Sequence, residues 1–127
     1  MKEVMAIIRM NMIGKTKEAL SKENFPSMSC RRVMGRGKKK VDYSLIEDYI
    51  KDGELPSNNI AEAISEGHRL IPKRLLTLIV KDDEVDKVVD TIIKVNTNGK
   101  PGDGKIFVIP IIDSIRVRTG ETGDQAI

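Results

Sequence analysis

Residues 106–112 read IFVIPII. Side chains of a strand alternate between two faces, and here both alternating sets are apolar. Such a strand calls for cover on both sides. A single layer of helices covers only one face of an open sheet. The other face packs at least cost against copies of the same chain or of a homologue, which predicts a closed oligomer. Pro110 interrupts the run, so two short strands or one bent strand are expected across KIFVIPIIDSIRVR, residues 105–118.

The rest of the chain supplies the other layer. With 127 residues it can build one domain around one modest core. Aromatic residues make up 3% and Trp is absent, so that core must be Ile, Val, Leu and Met. EVMAIIR at 3–9, MSCRRVM at 28–34 and RLLTLIV at 74–80 have the apolar, β-branched character of strands. IGKTKEALSKENF, from residue 13, reads as a helix with Thr16 a candidate cap. DDEVDKVVDTIIKV, from residue 82, reads as a second helix. Asp82 or Asp83 can cap it at its positive end, and Val85, Val88, Val89, Ile92 and Ile93 form an apolar stripe. The order is strand, helix, strand, a long insertion, then strand, helix, strand. It predicts an α+β, ferredoxin-like βαββαβ sandwich with both helices on one face.

The insertion, residues 36–72, exceeds ordinary connections and is expected to be functional. SLIEDYIKDG offers Ser44 and Glu47 as a capping box and Gly53 as a stop, and SNNIAEAISEG ends at Gly67. Helices this short are marginal alone. Their apolar Ile46, Tyr49, Ile50, Ile60 and Ile64 predict ordering on a partner.

Composition excludes several classes. The net charge of +3 is mild. Arg31, Arg32, Arg36, Lys38, Lys39 and Lys40 cluster, but no aromatic platforms accompany them, so no nucleic-acid partner is expected. Cys30, the single cysteine, allows no internal disulfide and is expected to fill the core. No ligand cluster suggests a metal, and lone His68 reads as an exposed loop residue. No leader-like N-terminus or run of about 20 apolar residues is seen, so a cytoplasmic chain with no membrane insertion is expected.

GKPGDGKIFV at 99–108 carries the chemistry. Gly99, Gly104 and Lys105 fit the start of a nucleoside-triphosphatase phosphate loop. However, Ile106 stands where Ser or Thr should hold magnesium, and a strand pattern follows where a helix should open. The loop can still hold phosphate, because glycines admit close backbone approach and successive amides form an anion nest, with Lys105 at its edge. Arg116 and Arg118, two apart on an expected strand, would share a face and want an anion between them. The alternative is a tight turn with surface arginines. Asp103, between glycines, reads as a turn-former rather than a general base, so ATP hydrolysis beyond a trace is not expected.

These residues carry a family resemblance. GKPGDGKIFV followed by SIRVRTGETGDQAI resembles the C-terminal signature of the PII signal-transduction proteins. MKEVMAIIR and KEAL resemble their first strand and helix, GRGKKK the base of their mobile T-loop, and IPKRLLTLIVKDDEVDKVVDTI the segment after it. The resemblance implies one domain over 1–127, with a T-loop at about 36–72, a C-terminal tail at 119–127, and a trimer with ATP or ADP between subunits. Phosphates would meet Gly102, Asp103, Gly104 and Lys105, with Arg116 and Arg118 from the neighbouring subunit. Gly35, Gly37 and Lys38 would line the cleft beside Ser29. Lys73, with Lys39 and Lys40 nearby, would meet 2-oxoglutarate.

Three departures stand out. Lys39 replaces a Gln that helps the family hold magnesium; a charged lysine cannot ligate a metal, so either magnesium is held differently or Lys39 pairs with an anion. Asn98 replaces Ser or Thr. The uridylylation motif YRGAEY is absent, and Tyr43 and Tyr49 lie in unrelated contexts. The long insertion and FPSMSCRRVMGRGK resemble the nitrogen-fixation branch of methanogenic archaea, in its longer paired form. That resemblance implies a non-enzymatic inhibitor of nitrogenase, relieved by 2-oxoglutarate. The other target class is an ammonium transporter or a nitrogen-assimilation enzyme.

Overall fold

The computed structural model describes residues 1–37 and 70–127. The expected helices within 44–67, together with Tyr43, Tyr49 and His68, lie outside the described residues. The chain divides into two compact units, Met1–Val33 with Lys73–Ile127, and Met34–Pro72. Of the second, the described residues are the outer ends of two strands with Arg36, Gly37 and Leu70 beside them.

In chain order the elements are β1 (Lys2–Arg9), α1 (Ile13–Lys22), β2 (Ser29–Gly35), β3 (Ile71–Val80), α2 (Val85–Asn96) and β4 (Lys105–Pro110). The strands form a four-stranded sheet in the order β2-β3-β1-β4. β1 pairs antiparallel with β3 on one side and β4 on the other. This is the expected ferredoxin-like arrangement.

Register explains which face is covered. Val4 lies between Leu78 and Val108, and Ala6 between Leu76 and Ile106. Apart from Val108, which is exposed, these two rows, with Ile8, pack under Leu20 of α1 and Val88 and Ile92 of α2. The rows between them alternate to the opposite face. They read Ile79–Glu3–Ile109, Thr77–Met5–Phe107 and Leu75–Ile7–Lys105. Phe107 there is 44% exposed and Ile109 38%. Among the described residues no layer covers that face, which leaves the second apolar set of β4 without the cover its two-sided pattern calls for.

Several local expectations are corrected. Thr16 is not a cap: it is fully buried inside α1, its hydroxyl donating to Met12 O at 2.7 Å. It also accepts from Asn96 Nδ2 at 3.0 Å, tying the two helices together. Neither Asp82 nor Asp83 caps α2. They open a 3₁₀ turn, Asp82–Glu84, whose entry is held by the Glu84 carboxylate accepting from Lys81 N–H at 3.0 Å. Ile93 leaves the apolar stripe and is 48% exposed. Cys30 is exposed rather than core, since β2 is an edge strand of the sheet. Pro110 ends β4, and no second strand follows.

Candidate anion-binding site

The chain leaving α2 returns to the sheet through residues 97–104. Gly99, Gly102 and Gly104 hold φ of 77°, 102° and 122° there, a region side chains rarely adopt. At Gly104 the requirement is also steric. A Cβ built there would lie 2.2 Å from Ile7 O, a backbone atom of the central strand. The loop therefore presses against β1 just where β4 begins pairing through Lys105 and Ile7. It enters a strand, not a helix, so the triphosphatase pattern lacks its helix dipole.

Arg9, at the end of β1, braces this loop. Its Nη1 donates to Asp103 Oδ1 at 2.6 Å and its Nη2 to Pro101 O at 3.3 Å. The other carboxylate oxygen of Asp103 accepts from Asn98 N–H at 2.9 Å. Hydrogen bonding from the Asn98 amide, then from Arg9, holds the Asp103 carboxyl below the usual carboxylate range, against the opposing effect of burial. Asn98 Oδ1 in turn accepts from Lys100 N–H at 2.9 Å. Asp103 thus faces into the loop's own framework. From β3, Lys73 Nζ donates to Gly102 O at 3.3 Å. Among the described residues, the N–H of Gly102 has no protein acceptor. Two cationic side chains thus converge on a loop that keeps the Gly102 amide open, and Lys105 follows directly after it. This arrangement can hold an anion. Behind it, an open groove of about 360 Å³ runs between α2 and β4, past Ile92, Asn96 and Ile106.

The other residues named from sequence are placed unevenly. Ser29 lines a different opening, of about 290 Å³, with Glu3, Arg31, Leu75 and Thr77. Gly35 ends β2 and Gly37 follows it in the second unit. Lys38, Lys39 and Lys40 lie outside the described residues. Arg116 and Arg118 do not alternate along a strand. Residues 115–122 form a tight loop closed by an Ile115–Thr122 bridge, with Gly120 N–H donating to Arg116 O at 2.7 Å. The shared-face reasoning therefore fails for them. The Arg116 guanidinium binds the Glu121 carboxylate and Gln125 O, the latter at 2.9 Å. Arg118 is exposed in the turn. Sequence reasoning missed Arg9 and Glu121. The signal for Arg9 was a charge closing an apolar strand, at the edge that register sets beside Asp103.

Among the described residues there is no cluster of side chains able to hold a metal ion, and no helix long and apolar enough to cross a membrane. A family model described as "Nitrogen regulatory protein P-II" matches residues 1–121. "Nitrogen fixation nifHD region GlnB-like protein 2" of Methanobacterium ivanovii is 45% identical over 128 residues, covering 100% of this chain and 99% of the relative. "Nitrogen fixation nifHD region glnB-like protein 2" of Methanococcus maripaludis is 45% identical over 127 residues, with both chains fully covered at 100%. Among solved structures, "Crystal Structure of Arabidopsis thaliana PII bound to citrate" superposes with a TM-score of 0.71 at 32% identity, covering 99% of this chain and 91% of that one.

Proposed function

The chain belongs to the nitrogen regulatory protein P-II family, and from that premise we propose that it senses nitrogen status by binding adenine nucleotide and 2-oxoglutarate and controls nitrogenase. The observation that carries this reading is the convergence of Lys73 and Arg9 on a glycine loop whose Gly102 amide has no acceptor among the described residues, with Lys105 next to it. Polyphosphate is the ligand class that such a nest and its lysines suit. ATP or ADP would lie against Gly102, Asp103, Gly104 and Lys105. The neighbour's Arg116 and Arg118 would close the site, and Ser29, Gly35, Gly37 and Lys38 would line the remainder. Asp103 would contribute its backbone, because its carboxylate is committed to Arg9 and Asn98. The same commitment leaves it a poor general base, which supports a regulator rather than an enzyme.

The neighbour implied here is a second and third copy, or a homologue, packed on the uncovered sheet face. Its exposed Phe107 and Ile109 favour such burial. Lys73, with Lys39 and Lys40, would receive the dicarboxylate, with magnesium a further candidate ion. The relatives carry "Nitrogen fixation nifHD region" in their names, which supports nitrogen fixation as the process controlled. Residues 36–72 would contact the target. The dicarboxylate would release that target by the amount it favours one loop shape over the other, about 1–3 kcal/mol for such couplings.

Calorimetric titration with ATP, then 2-oxoglutarate, tests the reading. Lys105→Gln should weaken ATP binding about tenfold or more, the loss of a charge-assisted hydrogen bond. Unchanged affinity in that variant, or no heat from millimolar dicarboxylate on the ATP complex, refutes the corresponding half of the reading. Retention of nitrogenase by a chain lacking residues 41–70 would exclude the insertion as the sole contact.

A further inference from the structure

The tail residues Thr119, Gly120 and Glu121 form a framework around one arginine. Arg116 N–H donates to Glu121 O at 2.9 Å, and Arg116 O accepts from Gly120 N–H at 2.7 Å and Thr119 N–H at 3.2 Å. This tight turn brings Glu121 back onto its own Arg116. The guanidinium donates through Nη1 to the Glu121 carboxylate and through Nη2 to Gln125 O at 2.9 Å. Thr119 Oγ1 donates to the same carboxylate oxygen at 3.0 Å, which fixes it in place. Arg118, two residues on, has no such partner among the described residues. The two arginines are therefore not equivalent: one already holds an anion from its own chain.

We infer that Glu121 is a built-in competitor for the anion site of Arg116, displaced when a nucleoside polyphosphate binds there. This rests on the proposed nucleotide site. A carboxylate and a phosphate oxygen ask the same thing of a guanidinium: N–H donors in a planar fork. The fork is occupied on one edge by Glu121 and Gln125 O. A polyphosphate reaching that edge must break the Glu121 contact and unlatch residues 119–125. Glu121 thereby sets nucleotide affinity and couples the tail's conformation to occupancy. The pair is partly exposed, 35% for Arg116 and 43% for Glu121, so the competition has the strength of a surface ion pair. It amounts to about threefold to fivefold in affinity.

The test is a calorimetric cycle with ATP at constant ionic strength on the full chain: wild type, Glu121→Gln, Arg116→Gln and the double variant. Glu121→Gln should bind ATP about threefold to fivefold tighter, and the gain should vanish in the Arg116→Gln background. Equal or weaker binding by Glu121→Gln overturns the inference, because it makes Glu121 a positioning group for Arg116. Equal tightening in both backgrounds also overturns it, because that is relief of general negative charge. Wild type that binds no ATP removes the nucleotide site and the inference with it, whereas wild type that binds while the cycle fails removes the inference alone. Amide exchange on the wild type needs no variant. Protection of Arg116 and Gly123 N–H should fall on saturation with ATP, and undiminished protection overturns the displacement.

Discussion

Gly104→Ala isolates how far the loop depends on contact with the central strand. The methyl group would be placed 2.2 Å from Ile7 O, where real Cβ contacts essentially never fall below 3.0 Å. That oxygen belongs to β1, which is paired on both sides and cannot rotate away. The entry to β4 must therefore shift by most of an ångström. Overpacking of this kind costs about 1–3 kcal/mol, and holding a side chain at φ 122° costs about 1–3 kcal/mol more. The sum, about 2–6 kcal/mol, is a large share of the stability of a small domain. For a chain of this size it corresponds to a fall in melting temperature on the order of 10–20 °C. Gly99→Ala is the control. Its φ of 77° is also left-handed, yet a Cβ there meets nothing within 4 Å, so only backbone strain of about 1–2 kcal/mol applies. The assay is thermal unfolding of both variants and the parent at one protomer concentration, because any self-association would make the melting temperature concentration-dependent. If Gly104→Ala melts within a few degrees of Gly99→Ala, the close approach of loop and strand is wrong, and so is the site built on it.

Three further expectations follow from side chains. Thr16→Val removes the acceptor of the buried Asn96 amide and should cost about 1–3 kcal/mol, read as a lower urea midpoint; an unchanged midpoint would refute the helix–helix tie. Asp103 has its carboxyl held low in the folded state, so its contribution to stability is present above the unfolded value near 4 and is lost as pH falls through the folded one. Asp103→Asn should therefore reduce the drop in urea midpoint between pH 6 and pH 3 relative to wild type, and parallel curves would refute the holding of the Asp103 carboxylate by the Asn98 amide and Arg9. Phe107→Glu places a charge on the uncovered sheet face and should yield monomers in sedimentation velocity at a concentration where the parent associates; an undiminished parent-like assembly would move the interface elsewhere.

The sequence carried the strands, the two helices and the glycine loop because each rests on short-range pattern. Period-2 and period-3.6 apolar spacing placed β1, β3 and α2 within a few residues, and the two-sided pattern of β4 foretold the uncovered face. What escaped it depends on partners remote in sequence. Thr16 looks like a cap from its neighbours, and only Asn96, 80 residues away, makes it an interior hydroxyl. Arg9 looks like the polar end of a strand until pairing places it against Asp103, 94 residues on. Arg116 and Arg118 misled for a different reason. The pairing with β1 runs out opposite Lys2 and Met1, with Ile111 N–H the last to donate across, so the apolar run beyond it has no ladder to join, and alternation stops meaning a shared face. Cys30 misled because edge position, which no local pattern shows, leaves a strand's small residues open.

The uncovered face and the proposed anion site share a residue, which would make assembly and ligand binding one problem. Lys105 sits in the cross-strand row with Ile7 and Leu75, on the same face as Met5, Phe107 and Ile109. A neighbour covering the apolar rows would arrive beside Lys105 and the glycine loop whether or not a ligand is there. A neighbour's arginines brought to Lys105 and Lys73 would concentrate positive charge beside the Arg9–Asp103 pair and would oppose assembly until an anion intervenes. A polyphosphate at that seam would offset the repulsion and be buried by the same contact. By linkage, whatever affinity the seam gains from the ligand, the ligand gains from the seam. Glu121 fits this scheme as the charge that keeps Arg116 from approaching the other cations bare, so it would lessen, without removing, the repulsion in the unliganded assembly.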